Sequence, residues 1–150
     1  MHTHLPRTLG LLLVLGGAAS AQPTSAVPSL DDTLLIVDFK DAKWTPSTLA
    51  GVPPGILNWP VAGDPKTGPA INYAKYPTGY AFPMHWHSYA EYTVVLSGSV
   101  HYVADGKPAD AIAGSFVIFP AKVRHQVTCK AGPCVFVIRR AGPTDYHFEK

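Results

Sequence analysis

Two histidines separated by one residue, His85 and His87, constrain the fold of this chain more than any other feature of its sequence. On a β-strand, residues i and i+2 point to the same face of the sheet. Both imidazoles therefore point inward if either does, and Trp86 between them points the other way. The spacing predicts a strand that presents two histidines to one shared space.

Two further residues can complete a metal site with this pair. On a straight strand Glu91 would lie roughly 13 Å from His87, too far to share an ion, so residues 88–90 are predicted to form a tight bend. His125 lies in a later apolar run beside Val123 and Val127. Three neutral imidazoles and one carboxylate are good ligands for a first-row divalent ion. The same spacing also suits surface histidines along a strand edge, so spacing alone leaves both interpretations open.

The sequence around these residues resembles the cupin family. The first cupin motif is Gly, five residues, His-x-His, three or four residues, Glu, six residues, Gly. Every specified position is matched, by Gly79, His85, His87, Glu91 and Gly98.

The second cupin motif is matched in part. It reads Gly, five residues, Pro-x-Gly, two residues, His, three residues, Asn. Gly114, Pro120 and His125 match it, whereas Lys122 replaces the glycine and Cys129 replaces the asparagine. Neither replaced position supplies a metal ligand in the family, so the departures leave the implied metal site intact.

This resemblance implies a fold and a site. The fold is all-β, the double-stranded β-helix or jelly-roll barrel of a single-domain cupin. The implied metal ligands are His85, His87, Glu91 and His125, and the cofactor is one divalent transition metal: Fe, Mn, Ni, Cu or Zn. Single-domain cupins commonly pair through their barrels, so a homodimer is expected, to which residues 33–39 could contribute by adding to a partner's sheet edge.

Four other residues are candidates for the pocket around the metal. Phe82 and Met84 precede the histidines and are expected to form an apolar wall. Tyr89 lies in the predicted bend, where it could support the ligands or simply pack, and Tyr73 could contact a substrate.

The content of turn-forming residues favours the same fold class. The 150 residues include 13 Gly and 15 Pro, and 47% of the chain is hydrophobic against 15% charged. Such a composition is typical of a packed domain with many turns and little helix. Strands are predicted at residues 33–39, 56–62 and 70–76, with a proline-rich loop over 43–60. Further strands up to residue 138 are separated by predicted turns at Ser97-Gly98, Asp105-Gly106, Ala113-Gly114 and Ala131-Gly132-Pro133.

The first 21 residues have the pattern of a secretory signal peptide. Arg7 lies in a short polar start, residues 10–17 are apolar, and Ala19-Ser20-Ala21 is a small-x-small cleavage site. The apolar run is too short to span a bilayer as a helix, although an uncleaved anchor is the alternative. We therefore expect a signal peptide at 1–21, a linker at 22–32 and the domain at 33–150. The mature chain is expected to lack a membrane span and to be periplasmic or secreted.

The charge of the chain argues against nucleic acid as a partner. The formal net charge is +2, and the sequence has no cluster of Lys and Arg. Phosphate binding needs such residues concentrated on one face. The pair Arg139-Arg140 is too short to count and is expected to be a solvated strand end.

Two cysteines, Cys129 and Cys134, are separated by Lys-Ala-Gly-Pro. This segment predicts a hairpin turn that sets the two residues opposite each other on antiparallel strands, where a disulfide can form in an oxidising compartment. The alternative is a pair of reduced thiols.

The implied metal site suggests two functions for the small-molecule partner. Three histidines and a glutamate leave coordination positions open beside an apolar pocket, which favours a metal-dependent dioxygenase. The same site could instead bind a small carboxylate or sugar acid without turnover, so a non-catalytic binding protein is the alternative.

Cleavage of the signal peptide is testable by mass. Protein recovered from the exported fraction should begin at Gln22, because the small residues at positions 19 and 21 suit the cleavage site. Intact-mass measurement checks this, and an exported chain that retains residues 1–21 would contradict the prediction.

Overall fold

The computed structural model describes residues 27–30 and 34–149. The predicted signal peptide lies outside the described residues, and so does most of the predicted linker. In the part that is described, no helix is long and apolar enough to cross a membrane.

The described chain is almost entirely β-structure, with one short 3-10 helix at Phe39–Asp41. Nine strands follow: β1 (Thr45–Pro46), β2 (Leu57–Gly63), β3 (Ala70–Tyr76), β4 (Ala81–Trp86), β5 (Glu91–Ala104), β6 (Lys107–Ile112), β7 (Phe116–Phe119), β8 (His125–Arg140) and β9 (His147–Phe148). The predicted strand at 70–76 is confirmed, and that predicted at 56–62 lies within one residue of β2. The all-β fold is therefore confirmed.

The strands form one curled antiparallel sheet around β8. This strand pairs with β3, β4 and β5, while β5 also pairs with β6 and β7. The pairing of β5 with β8 runs from Glu91 opposite Arg140 to Ala104 opposite His125. The inward faces of these strands enclose the core, whose larger members are Tyr76, Phe82, Val95, Val100, Phe119, Phe136 and Ile138.

The prediction of a first strand at residues 33–39 is wrong for the part described, residues 34–39. Residues 34–38 form no strand, and the side chain of Asp38 accepts a hydrogen bond from the Lys40 amide at 3.1 Å, which starts the 3-10 helix. A capping aspartate competes with strand pairing in this way. Leu34 and Ile36 are 87% and 82% exposed. Their β-propensity alone does not form a strand, because no neighbouring strand pairs with this segment in the described part of the chain.

The proline-rich segment 43–60 is also more ordered than predicted. Thr45–Pro46 pairs with Leu57 and Asn58 as β1. Pro60 lies inside β2, at a register shift between Pro60 and Ala62. A proline has no N–H to donate to the ladder, so a strand accommodates it at such an irregularity.

Two of the four predicted turns are turns, and two are bulges. Asp105-Gly106 and Ala113-Gly114 reverse the chain on either side of β6. Ser97-Gly98 and Ala131-Gly132-Pro133 lie inside β5 and β8, opposite each other. Between Ser97 and Ser99, β5 advances two residues while β8 advances four, from Val135 to Ala131. Gly98 has a φ of +86°, a conformation that suits a bulge as well as a turn, so a glycine in the sequence does not distinguish the two.

The disulfide between Cys129 and Cys134 is present, with the Cα atoms 5.8 Å apart. The hairpin predicted between the two cysteines is wrong, because both halves of β8 pair with the same strand, β5, and the chain does not reverse. The disulfide therefore spans a bulge within one strand. Both cysteines are fully buried beside Gly98.

Substitution of Gly98 tests how closely β5 packs against the disulfide-bridged bulge of β8. A Cβ at this position, where φ is +86°, would lie 2.7 Å from the Ala131 carbonyl oxygen and 2.8 Å from the Cys134 sulfur. Gly98→Ala should therefore lower the free energy of unfolding by about 3 kcal/mol, through backbone strain and overpacking together. Gly106→Ala is the control, because Gly106 has φ +78° with no atom within 4 Å of its Cβ position. It should cost only about 1 kcal/mol. Urea denaturation measures both, and equal losses would contradict the steric argument.

Candidate metal centre

Three histidine side chains meet at one end of the barrel. His85 on β4 pairs directly with His125 at the start of β8, and His87 follows the end of β4. The ring centroids are 4.2 Å apart for His85 and His125, 4.7 Å for His85 and His87, and 5.3 Å for His87 and His125. One ring nitrogen from each lies within 4.8 Å of the others, and all three residues are buried.

The strand geometry predicted for the histidine pair is present in the structure. His85 and His87 both point into the barrel, whereas the Trp86 ring stacks outside on His147 at 3.7 Å between centroids. The predicted bend at residues 88–90 turns the chain between β4 and β5.

Each of the three imidazoles is oriented by a backbone carbonyl. The Nδ1 atoms donate as follows: His85 to Pro83 at 2.7 Å, His87 to Asp145 at 2.5 Å, and His125 to Val123 at 3.0 Å. A carbonyl oxygen only accepts, so each Nδ1 carries the proton and each Nε2 keeps a free lone pair when the ring is neutral. The Nε2 atoms of His87 and His125 are buried without a hydrogen-bond partner. This is the tautomer and orientation that metal-binding histidines require.

Burial keeps two of these rings neutral. Desolvation, reinforced by the neighbouring His125, lowers the pKa of His85 to about 3. Desolvation also lowers the pKa of His125, against the opposing effect of Glu91. Neutral rings are the form that binds a metal ion.

Glu91 begins β5 and lies beside the three histidines, although it is not one of the group that shares the 4.8 Å spacing. Its Oε2 is 3.2 Å from His87 Nε2 and forms an ion pair with Arg140 Nη2 at 2.6 Å, while Oε1 accepts a hydrogen bond from the Thr93 hydroxyl at 3.1 Å. Burial alone would raise the pKa of Glu91, but Arg140 and His87 outweigh it and the pKa is lowered. The carboxylate is therefore held ionised.

The contact between His87 and Glu91 fits a cation. With Nδ1 protonated, His87 Nε2 and Glu91 Oε2 are two acceptors facing each other at 3.2 Å. They repel unless a proton on His87 or a metal ion lies between them. A ring of imidazole nitrogens and one carboxylate suits first-row divalent ions, so the residues present fit a metal.

The prediction that Arg139-Arg140 forms a solvated strand end is wrong for Arg140. Arg139 is exposed, but Arg140 is 6% exposed and forms the buried ion pair with Glu91. Arg140 shares strand parity with the buried Phe136 and Ile138, so the alternation of β8 could have placed it inside. A charge on the buried face of an apolar strand was the signal that sequence reasoning missed.

The segment after β8 returns over the histidines, and nothing local in the sequence indicated this. The Asp145 carbonyl accepts from His87, and its carboxylate accepts from the Ser88 amide at 2.9 Å. The Tyr146 ring packs 4.9 Å from His87 and 5.6 Å from His85, and Phe148 packs 5.9 Å from His85. These residues cover the histidines with aromatic surface.

The four predicted pocket residues lie in different places. Phe82 is buried, and its ring packs 4.7 Å from the His85 ring. Met84 is half-buried, and its carbonyl accepts from the Glu149 amide. Tyr89 is 45% exposed and packs against Gly142 rather than the histidines.

Tyr73 corrects the expectation of a substrate contact. Its ring stacks on Trp59 at 5.1 Å, on the outer face of β2 and β3. Its neighbour Ala74 takes the inward position, and alternation along β3 sends Tyr73 outward.

Comparisons with known proteins agree with this fold. Residues 72–138 match the sequence model of a family described as "Cupin domain". No sequence among the curated proteins is significantly similar to this chain.

Several solved structures share the architecture at low sequence identity. The polyketide cyclase RemF from Streptomyces resistomycificus is 17% identical, with a TM-score of 0.66, and the match covers 79% of this chain and 87% of that one. A putative acetylacetone dioxygenase from Methylibium petroleiphilum is 19% identical, with a TM-score of 0.63 and coverage of 79% and 83%. An RmlC-like cupin from Shewanella frigidimarina is 16% identical, with a TM-score of 0.58 and coverage of 75% and 93%.

At such low sequence identity, the structural matches support the fold alone. The sequence match spans β3 to β8, the strands that carry His85, Glu91 and His125. Sequence and architecture thus agree over the same part of the molecule, and this chain contains a cupin-type domain.

Proposed function

We propose that the protein is an exported metal-binding cupin that acts as a small-molecule dioxygenase. The observation that carries the proposal is the orientation of the three histidines: each donates from Nδ1 to a backbone carbonyl, so that their Nε2 lone pairs are left to face one another. Such an arrangement has no use in a packed core, where unpartnered buried acceptors are costly.

In this proposal His85, His87, His125 and Glu91 hold one divalent ion. When bound, a redox-active ion supplies dioxygen activation and polarises a substrate oxygen. Glu91 contributes a negative charge that Arg140 and Thr93 fix in place. A carboxylate in this position can bind the ion or take a proton from a substrate.

The surroundings of the histidines support oxygen chemistry. Phe82, Tyr146 and Phe148 pack against the rings and exclude water from one side of the site. Apolar walls with few polar groups are typical of small-molecule sites. The solved structure named a putative acetylacetone dioxygenase, which has the same fold, supports this choice of reaction class.

The alternative function is non-catalytic binding of a small carboxylate or sugar acid. The buried Arg140 beside Glu91 favours it, because a guanidinium recognises carboxylates in a bidentate geometry. Both functions use the same metal ligands, so the identity of the metal distinguishes them. Iron, copper or manganese in the purified protein supports the dioxygenase, and zinc alone supports the binding protein.

Metal content tests the ligand assignment. The mature chain should contain about one divalent ion per barrel, and the double variant His85→Ala, His87→Ala should contain almost none, because two remaining ligands cannot compete with a chelating buffer. His101→Ala is the control, since His101 lies on the outside of β5 in a partly exposed pair with Asp110. Elemental analysis of the three proteins decides the question. Equal metal content in the double variant and the wild type would refute the site.

We also propose a homodimer formed through the outer face of β5 and β7. Leu96, Phe116 and Ile118 are exposed there, and Tyr92 stacks on Phe116. An exposed apolar face of this kind is typical of an interaction surface. The 33–39 segment forms no strand over its described part, residues 34–39, so addition of that segment to a partner's sheet is not supported.

Light scattering tests this interface. The wild type should have twice the mass of one chain, and the double variant Phe116→Asp, Ile118→Asp should be monomeric, because two buried charges oppose association. Leu34→Asp is the control, as Leu34 is exposed but belongs to the N-terminal segment. A monomeric wild type, or a dimer lost only in Leu34→Asp, would contradict the proposal.

A further inference from the structure

Arg140 also lines a pocket next to β2 and β3, away from the three histidines. It has a volume of about 170 Å³ and lies between these strands and the segment that follows β8. Its apolar lining comes from prolines, Ala70 and Ile71. Its polar lining consists of Asn58, Asn72, Arg140, Thr144 and Tyr146.

Arg140 brings unused hydrogen-bond donors to this pocket. Its side chain is 7% exposed, and its Nη2 atom forms the ion pair with Glu91 at 2.6 Å and donates a hydrogen bond to the Tyr146 hydroxyl at 3.0 Å. A guanidinium carries five N–H donors, of which Nη2 supplies two. The Nε atom is buried and has no partner within residues 27–30 and 34–149. A buried donor of this kind points to a missing acceptor.

Other polar groups around the pocket are also available. The Tyr146 hydroxyl accepts from Arg140 and keeps its own proton to donate. The Asn72 amide nitrogen donates to the Tyr73 carbonyl, which leaves the amide oxygen and one N–H unused. The pocket thus gathers several donors around one cation.

The extent to which the positive charge of Arg140 is neutralised depends on the interactions of Glu91. In the structure the two side chains neutralise each other across 2.6 Å. If Glu91 also binds a divalent ion, its negative charge is shared and the guanidinium is left with excess positive charge. An anion in the pocket would restore the balance.

We propose that this pocket binds the carboxylate group of the small-molecule ligand, with Arg140 as the residue that recognises it. The inference rests on the proposed function, because it names the ligand class for the same metal centre, whether that ligand is converted or only bound. Arg140 touches Glu91 and the pocket at once, so it links the carboxylate of the ligand to the metal site.

The test uses two probes of equal size, propionate and propionamide, with the zinc-loaded full mature chain. Zinc is chosen because it has no redox chemistry of its own. Calorimetric titration should show that propionate binds at least tenfold more tightly than propionamide. Propionate should also bind more weakly to metal-free protein. Zinc content is measured first on every sample.

Matched variants separate Arg140 from general charge and from direct binding to the metal. Arg140→Lys should weaken propionate binding about tenfold, because lysine keeps the charge but loses the planar fork. Arg139→Lys, the exposed neighbour on the same strand, should leave binding unchanged. Asn72→Leu fills the pocket without touching Glu91 or the histidines and should also weaken propionate binding about tenfold. This second variant keeps the test valid if Arg140→Lys folds poorly.

The outcomes distinguish this inference from the proposed function. Absence of bound zinc in the wild type would count against the proposed function, and the same titrations on metal-free protein then decide the inference. Equal binding of the two probes would overturn the inference and leave the metal site intact. Propionate binding that neither Arg140→Lys nor Asn72→Leu weakens would also overturn it, since the carboxylate would then lie directly on the metal.

Discussion

The pairing of β5 with β8 is the constraint on which the rest of the structure depends. Glu91 and Ala104, at the two ends of β5, would lie roughly 40 Å apart on a straight strand. The ladder is interrupted near Gly98, where β8 carries extra residues closed by the Cys129–Cys134 disulfide. Strands that change sheet do so at bulges of this kind. The bend brings the His125 end of the ladder back toward the Glu91 end, so the histidine cluster depends on the bulge as much as on its own residues.

The ion pair between Glu91 and Arg140 balances the charge of the buried carboxylate in this cluster. A lone buried carboxylate beside three imidazoles would favour protonation of its neighbours. Arg140 supplies the compensating charge from the opposite strand of the same ladder, at the residue directly paired with Glu91. The Glu91 carboxylate therefore stays ionised although it is buried, and the residue that holds it so also lines the pocket beside β2 and β3.

The sequence predicted those parts of the molecule that local spacing determines. The pair His85 and His87 and the bend before Glu91 followed from strand spacing, which also put forward His125. The match to the cupin motifs then favoured a metal site over surface histidines. Arg140 was missed because the dipeptide was judged by its charge and not by its parity with Phe136 and Ile138. The bulges at Gly98 and Gly132 have the same sequence pattern as turns, because a glycine does not indicate whether the chain reverses. Asp145 and Tyr146 depend on contacts made 58 residues or so along the chain from His87, and no local pattern encodes such contacts.

The hydrogen bond from His87 to the Asp145 carbonyl also means that the orientation of His87 depends on a residue that is synthesised much later. The histidine is synthesised well before the residue that orients it, so a growing chain has all three imidazoles but not their final arrangement. An open N/O donor set ranks divalent metals by their intrinsic affinities and so favours copper and zinc over iron and manganese. If the chain binds an ion, that ion is drawn from the compartment in which folding is completed, so protein recovered from its native compartment would carry the ion on which its function depends.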